Sequence, residues 1–169
     1  MKLIHERMRD LRDLYINQAR VMLSAEQQIV RALPGMIEKA TDRQLREAFE
    51  SHKQVTEIHA MRLEGILNHT IGGASPEKCR VLAALVNEAV GMIEDSADVT
   101  VRDAALIAAA QRVEHYEIAA YGALRHFAEV LGLEGDAEIF NQTIQEEVYV
   151  DRLLTEIADR IVPSAEKAA

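Results

Sequence analysis

Apolar residues recur at spacings of three and four along most of this chain, and little interrupts them, since 169 residues include three prolines and eight glycines. That period lays one apolar stripe along each segment, the pattern of amphipathic α-helices rather than of strands. The few interruptions mark expected helix ends. Pro34-Gly35 breaks the first periodic segment, and Thr41 followed by Gln44 has capping-box spacing at the start of a second, which runs to Gly72-Gly73. Ser75-Pro76 offers an N-cap and a first-turn proline for a third segment, through about Ile93. Thr100 with Asp103 opens a fourth that continues to Gly132, and a last helix begins near Asp136 and ends before Pro163.

The reading is all-α: four long helices, with a shorter one between the second and third of them. A short helix in the middle connection implies a long crossover, and hence a ferritin-like four-helix bundle rather than simple up-down-up-down wiring. The bundle is expected over residues 1–162, with 163–169 as a disordered tail. Half of the residues are apolar (49%), enough for a core without disulfides. Cys79 is the only cysteine, which forbids an internal disulfide and reads as a small core residue.

The formal net charge of -9, with no run of Lys and Arg against it, disfavours nucleic acid and anionic lipid as partners. Met1-Lys2-Leu3-Ile4-His5-Glu6-Arg7 carries charges where a signal peptide needs an apolar stretch. No later segment has the length of a membrane span, so a cytoplasmic location is expected.

The chemically informative residues interrupt the apolar stripes. On the first helix the stripe is Met8, Leu11, Tyr15, Met22, Glu26, Ile29 and Leu33, with Glu26 the intruder. On the second it is Leu45, Phe49, His52, Val55, His59, Leu63 and Ile66, so two imidazoles face inward. The third long helix shows Ala104, Ile107, Gln111, Glu114, Ile118, Tyr121 and Leu124, with Glu117 one turn from Glu114 and His115 beside it. The last shows Phe140, Ile144, Glu147, Asp151, Leu154 and Ala158, where both intruders are carboxylates.

An unpaired charge on a dry face costs several kcal/mol, so these groups need compensation. Buried Arg or Lys partners are one means, but Arg31, Arg62, Arg112 and Arg152 mostly fall off the stripes. A pair of divalent cations is the other, because oxygen ligands with an occasional imidazole suit iron or manganese, and bundle cores host such sites. Any single mid-helix Glu or His usually marks a misread face or a satisfied hydrogen bond; four coincident ones are harder to explain so. His52 alone reads as a structural or ligand-orienting histidine. His69, at a helix end beside glycines, reads as a surface residue, and His5 and His126 carry no signal.

Several segments are also familiar. Leu11-Arg12-Asp13-Leu14-Tyr15-Ile16, Ser24-Ala25-Glu26-Gln27-Gln28 with Ala32-Leu33-Pro34, and Ala48-Phe49 with His52 resemble the YciE/YciF family of bacterial ferritin-like proteins. So, above all, does the run from Asp103 to Gln111 continuing through Val113-Glu114-His115-Tyr116-Glu117-Ile118-Ala119. The resemblance implies a ferritin-like bundle, often dimeric, associated with bacterial stress responses and without an established catalytic activity. Carried over, the family's carboxylate positions fall at Glu26, Glu114, Glu117, Glu147 and Asp151, and its Gln-or-His position at His59. The Glu114/Glu117 pair followed by Tyr121 is also similar to the third helix of rubrerythrins. The chain departs from the family at Val55-Thr56, where a Glu usually precedes the Thr, and at Asn17, Gln18, Val21 and Leu23 on the first helix. Glu57 points to another face and cannot replace the missing carboxylate.

Two functions are consistent with this pattern. In the first, Glu26, His59, Glu114, Glu117, Glu147 and Asp151 hold two Fe or Mn ions, or one, with His52, Gln111, His115 and Tyr121 orienting them. Tyr116 is a weaker candidate for that orienting role. Peroxide or dioxygen would be the small oxidant. In the second, a non-enzymatic helical protein for assembly or partner binding, a homodimer by the resemblance, keeps its carboxylates partly protonated and hydrogen-bonded to His52, His59, His115 and the tyrosines, and Val55 favours it. A shell-forming ferritin or a DNA-protecting miniferritin fits less well, for want of a basic tail.

Overall fold

A computed structural model describes residues 8–168; the charged stretch 1–7, with His5 and the start of the expected bundle, and residue 169 lie outside the described residues. Within them every regular element is helical: α1 (Leu11–Lys39), α2 (Arg43–Ile71), α3 (Arg80–Asp95), α4 (Val99–Val130), α5 (Glu134–Ala165) and a closing 3-10 turn, Glu166–Ala168. None of these helices is long and apolar enough to cross a membrane. α1 packs on α2 and α4 on α5, the two pairs meet through α1–α4 and α2–α5, and α3 lies across α4 and α1.

Three contacts establish the direction of each long helix. Asp103, in the first turns of α4, accepts bonds from Thr41 N (2.9 Å), Thr41 Oγ1 (2.6 Å) and Asp42 N (2.7 Å), so α4 starts beside the α1–α2 turn. Arg160, near the end of α5, reaches the same turn through Asp42 (2.6 Å) and Gln44 (2.8 Å). Tyr15, near the start of α1, donates to Asp136 at the start of α5 (2.7 Å). α1 and α5 therefore run one way and α2 and α4 the other, and the connection from 72 to 98 climbs the full height of the bundle, as expected for a ferritin-like crossover.

Several boundaries differ from the sequence reading. α1 passes straight through Pro34, which lacks the N–H for one helical bond and costs about 3 kcal/mol in a helix interior. Leu33 is buried and Met36 and Ile37 pack against the core on its far side, so burial at roughly 1.5–3 kcal/mol per side chain carries the helix on to Lys39. Asp42, not Thr41, caps α2 by accepting from Leu45 N, while the Thr41 hydroxyl donates to Asp103. Ser75-Pro76 does not start α3. Arg20 holds that stretch against α1, donating to the Ser75 carbonyl and accepting from Glu77 N, and the helix begins only at Arg80, capped by Cys79. Asp98 rather than Thr100 caps α4. α5 begins at Glu134, runs through Pro163 to Ala165 and leads into the 3-10 turn, where a disordered tail was expected.

The stripes shift as well. Met8 precedes α1 and is exposed. On α2 the buried residue between the imidazoles is Thr56, with Val55 turned partly outward. On α4 the buried line is Ile107, Ala110, Glu114, Glu117, Tyr121 and Leu124, and on α5 it is Phe140, Thr143, Glu147, Val150, Leu154 and Ile157. Gln111, Ile118, Ile144, Asp151 and Ala158 sit one position off, at the half-buried flank. A strictly alternating three-and-four step faces a partner helix, and these five residues come from choosing four where the packing uses three.

Candidate metal centre

Glu26, His59, Glu114, Glu117 and Glu147 lie near the middle of their helices, and the bundle brings them to one level in its core, each at most 1% exposed. His52 joins them from about two turns before His59. Two groups of candidate ligand atoms result, in each of which all atoms lie within 4.8 Å of one another: Glu26, His59 and Glu147, and His52, Glu114, Glu117 and Glu147. Glu147 belongs to both.

The His59 ring is held from outside the cluster. Its Nε2 lies 2.7 Å from Glu146 Oε2, and Glu146 is itself gripped by Arg62 (2.5 and 3.1 Å) and Gln142 (2.9 Å). Burial pushes the Glu146 carboxyl up, but the Arg62 and His59 bonds outweigh it and hold the group down at about 2. An ionised Glu146 can only accept, so Nε2 carries the proton and Nδ1 is turned toward Glu147 Oε1 (2.8 Å) and Glu26 Oε1 (3.8 Å). His59 Nδ1 and Glu147 Oε1 thus meet at ion-pair distance, and the carboxylates around the ring favour its charged form.

The rest of the cluster is short of partners. Tyr121 donates to Glu26 Oε1, which leaves Glu26 Oε2 bare. Both oxygens of Glu117 and of Glu147, Glu114 Oε2 and both ring nitrogens of His52 are buried and unbonded, with His52 Nε2 3.2 Å from Glu114 Oε1. Each such atom costs of the order of 1–3 kcal/mol if nothing occupies the space between.

The electrostatics describe a cluster that needs positive charge. Burial first, then the Glu147 charge, push Glu26 up to about 8. Burial also lifts Glu114 and Glu117 well above the carboxylate range, reinforced by Glu147 and Glu26 respectively. Burial would raise Glu147 too, but His59 and His52 hold it below its ordinary value. His59 is raised despite its burial, by Glu147, Glu26 and Glu146, whereas burial, aided by the His59 charge, lowers His52 against the pull of Glu147. Without a cation, protons neutralise the site. Oxygen donors with one imidazole per group suit iron or manganese, so the residues present fit a resident metal pair.

Five residues take other roles than expected. Asp151 is in neither group: one position off the buried line of α5, it pairs at the flank with His115 Nε2 (3.3 Å) and Gln111 Nε2 (3.3 Å). Gln111 and His115 thus orient Asp151 and touch none of the clustered groups. His52, expected to orient ligands, instead offers a ligand atom, on the helix where Val55 leaves no carboxylate. Tyr116 faces Cys79 Sγ (3.2 Å), away from the cluster. Sequence reasoning missed Glu146 and its tie to Arg62. Its only signal was the adjacency to Glu147, with Arg62 one turn after His59 on the facing helix.

The domain family described as "Domain of unknown function (DUF892)" matches residues 10–167. Protein YciF of Escherichia coli (strain K12) is 37% identical over 152 residues, which cover 89% of this chain and 92% of that one. The crystal structure of the E. coli stress protein YciF superposes with a TM-score of 0.88 at 36% identity, covering 92% of this chain and 99% of that one. YcfI from Rhodopseudomonas palustris superposes with a TM-score of 0.87 at 36% identity, covering 90% and 98%.

Proposed function

This chain belongs to the DUF892 family, the YciE/YciF proteins, and from that premise we propose that it is a bacterial stress-response protein holding two iron or manganese ions. Glu26, His59 and Glu147 would hold one, and His52, Glu114, Glu117 and Glu147 the other, Glu147 being common to both groups. The observation that carries the reading is the convergence on Glu147: two groups of buried ligand atoms share it, and both oxygens of Glu117, Glu26 Oε2 and Glu114 Oε2 are buried without a hydrogen-bond partner. A cation held among these oxygens would offset the cost of their burial.

Bound there, a redox-active pair would supply oxidation of ferrous iron or the consumption of peroxide or dioxygen. The chain's own contribution is positional. Tyr121 holds Glu26 by one oxygen, Arg62 and Gln142 hold Glu146, and the apolar residues around the cluster keep bulk water from the carboxylates. His52 supplies the second-helix donor that Val55 does not.

Elemental analysis of protein purified without chelators, beside Glu147→Gln, tests the reading. Up to two iron or manganese ions per chain in the parent and none retained in the variant is the expected result. A parent protein that stays metal-free after anaerobic reconstitution with ferrous and manganous ion would overturn it.

A further inference from the structure

α3 does not close flat against the bundle. Between it and α1, α2 and α4 lies a slot of about 230 Å³, walled by Leu33, Met36, Phe49, Val86, Ala89 and Val113. The slot is long. Its wall runs from Ile29 to Lys39 on α1 and from Leu85 to Glu94 on α3, about 14 Å at the rise of an α-helix. Because α1 and α3 climb while α2 and α4 descend, Lys39 and Glu94 share its exposed end, and His52 and Glu114 share the opposite, buried one.

The wall states what would fit. Apolar cavities of ~150 Å³ stay dry and accept benzene, so this larger, elongated one suits a chain of several more carbons. The His52 ring is 3% exposed, lines the buried end and has neither nitrogen hydrogen-bonded, so it can receive one polar end group. A carboxylate there would stand beside Glu114 and its acidic neighbours, and the opposite charges of Lys39 and Glu94 at the mouth do not select a charged head.

We propose that this slot binds an uncharged medium-chain aliphatic molecule with one hydrogen-bonding end group, an alcohol or aldehyde, its chain along α3 and its end group against His52. The assignment goes beyond the metal reading and shares His52 with it; binding is measured on the metal-free chain, so its failure and the failure of the metal reading are distinguishable.

Calorimetric titration of the metal-free full-length chain with 1-octanol, 1-hexanol and octanoate tests the assignment. One saturable 1-octanol site per chain is expected, with 1-hexanol weaker on the order of tenfold because two fewer methylenes are buried. Octanoate should bind more weakly than 1-octanol. Ala89→Phe and Val90→Trp, each filling the slot from α3, should abolish binding while the helical circular dichroism is kept. Should one variant not fold, the other and the chain-length series still decide. Absence of saturable 1-octanol binding, equal affinities for the two alcohols, or undiminished binding in the filled variants would overturn the proposal. Octanoate binding as tightly as 1-octanol would overturn the placement of an uncharged end group at His52.

Discussion

His59 Nε2 lies 2.7 Å from Glu146 Oε2, and that bond, made on the outer side of the ring, decides what the inner side can do. With the proton committed outward, Nδ1 faces Glu26 and Glu147. Glu146→Ala should therefore weaken metal binding by about 10–100-fold while both ligand groups stay in place, the usual effect of removing the partner that orients a ligating histidine. Competition against a chromophoric chelator measures it. An unchanged affinity would show that Glu146 does not orient the ring.

His52→Leu separates the two ligand groups. Glu26, His59 and Glu147 are untouched, so metal content should fall from two ions to one per chain by elemental analysis. The metal-free variant should be no less stable than the parent, within about 1 kcal/mol by urea unfolding, because His52 has no hydrogen bond to lose. Marked destabilisation would instead assign His52 a structural role.

The metal-free protein should lose stability with rising pH. Glu26 is raised in the folded state to about 8 from an ordinary value of 4.5, so its contribution is fully present below about 4.5 and is lost as pH rises through about 8. Metal reverses the sign, since ions bind the deprotonated carboxylates and release their protons. Melting temperatures of metal-free and manganese-loaded protein should diverge as pH is raised from about 6 to about 9. Parallel curves would contradict both the shift and the site.

Asp103 ties α4 to the α1–α2 turn through three bonds, all on a side chain that is 2% exposed. Asp103→Ala leaves two backbone N–H groups and the Thr41 hydroxyl without their acceptor, a loss of roughly 2–4 kcal/mol. At about 2–4 °C per kcal/mol the melting temperature should drop by roughly 5–15 °C, with metal content unchanged in the folded fraction.

Much of the site was legible because a Glu or His in the middle of an apolar stripe has few innocent explanations, and Glu26, His59, Glu114, Glu117 and Glu147 are all such residues. Asp151 was misread because Glu147 can be followed on the same face by a step of three or of four, and only the neighbouring helices choose; the packing chose Val150. Glu146 was not legible at all. A half-exposed carboxylate looks like any surface Glu until Arg62 and His59 are brought within 3.1 Å of it.

The helix boundaries divide in the same way. Gly72, which ends α2 in a left-handed conformation, and the period of the long segments are local properties, so they could be read directly. Pro34 is also a local signal, yet it was overruled by the burial of Leu33, Met36 and Ile37 around it.

What the chain determined by itself was its helical period, the number of long helices, the crossover and the presence of inward-facing carboxylates, because all of these repeat within a few residues of sequence. What only the tertiary structure decided was which of those groups meet: His52 inside the cluster, Asp151 outside it, Glu147 shared, and the Glu146–Arg62 clamp behind His59. Those outcomes depend on the rotation and level of each helix against its neighbours, set by packing between residues 36 to 87 positions apart.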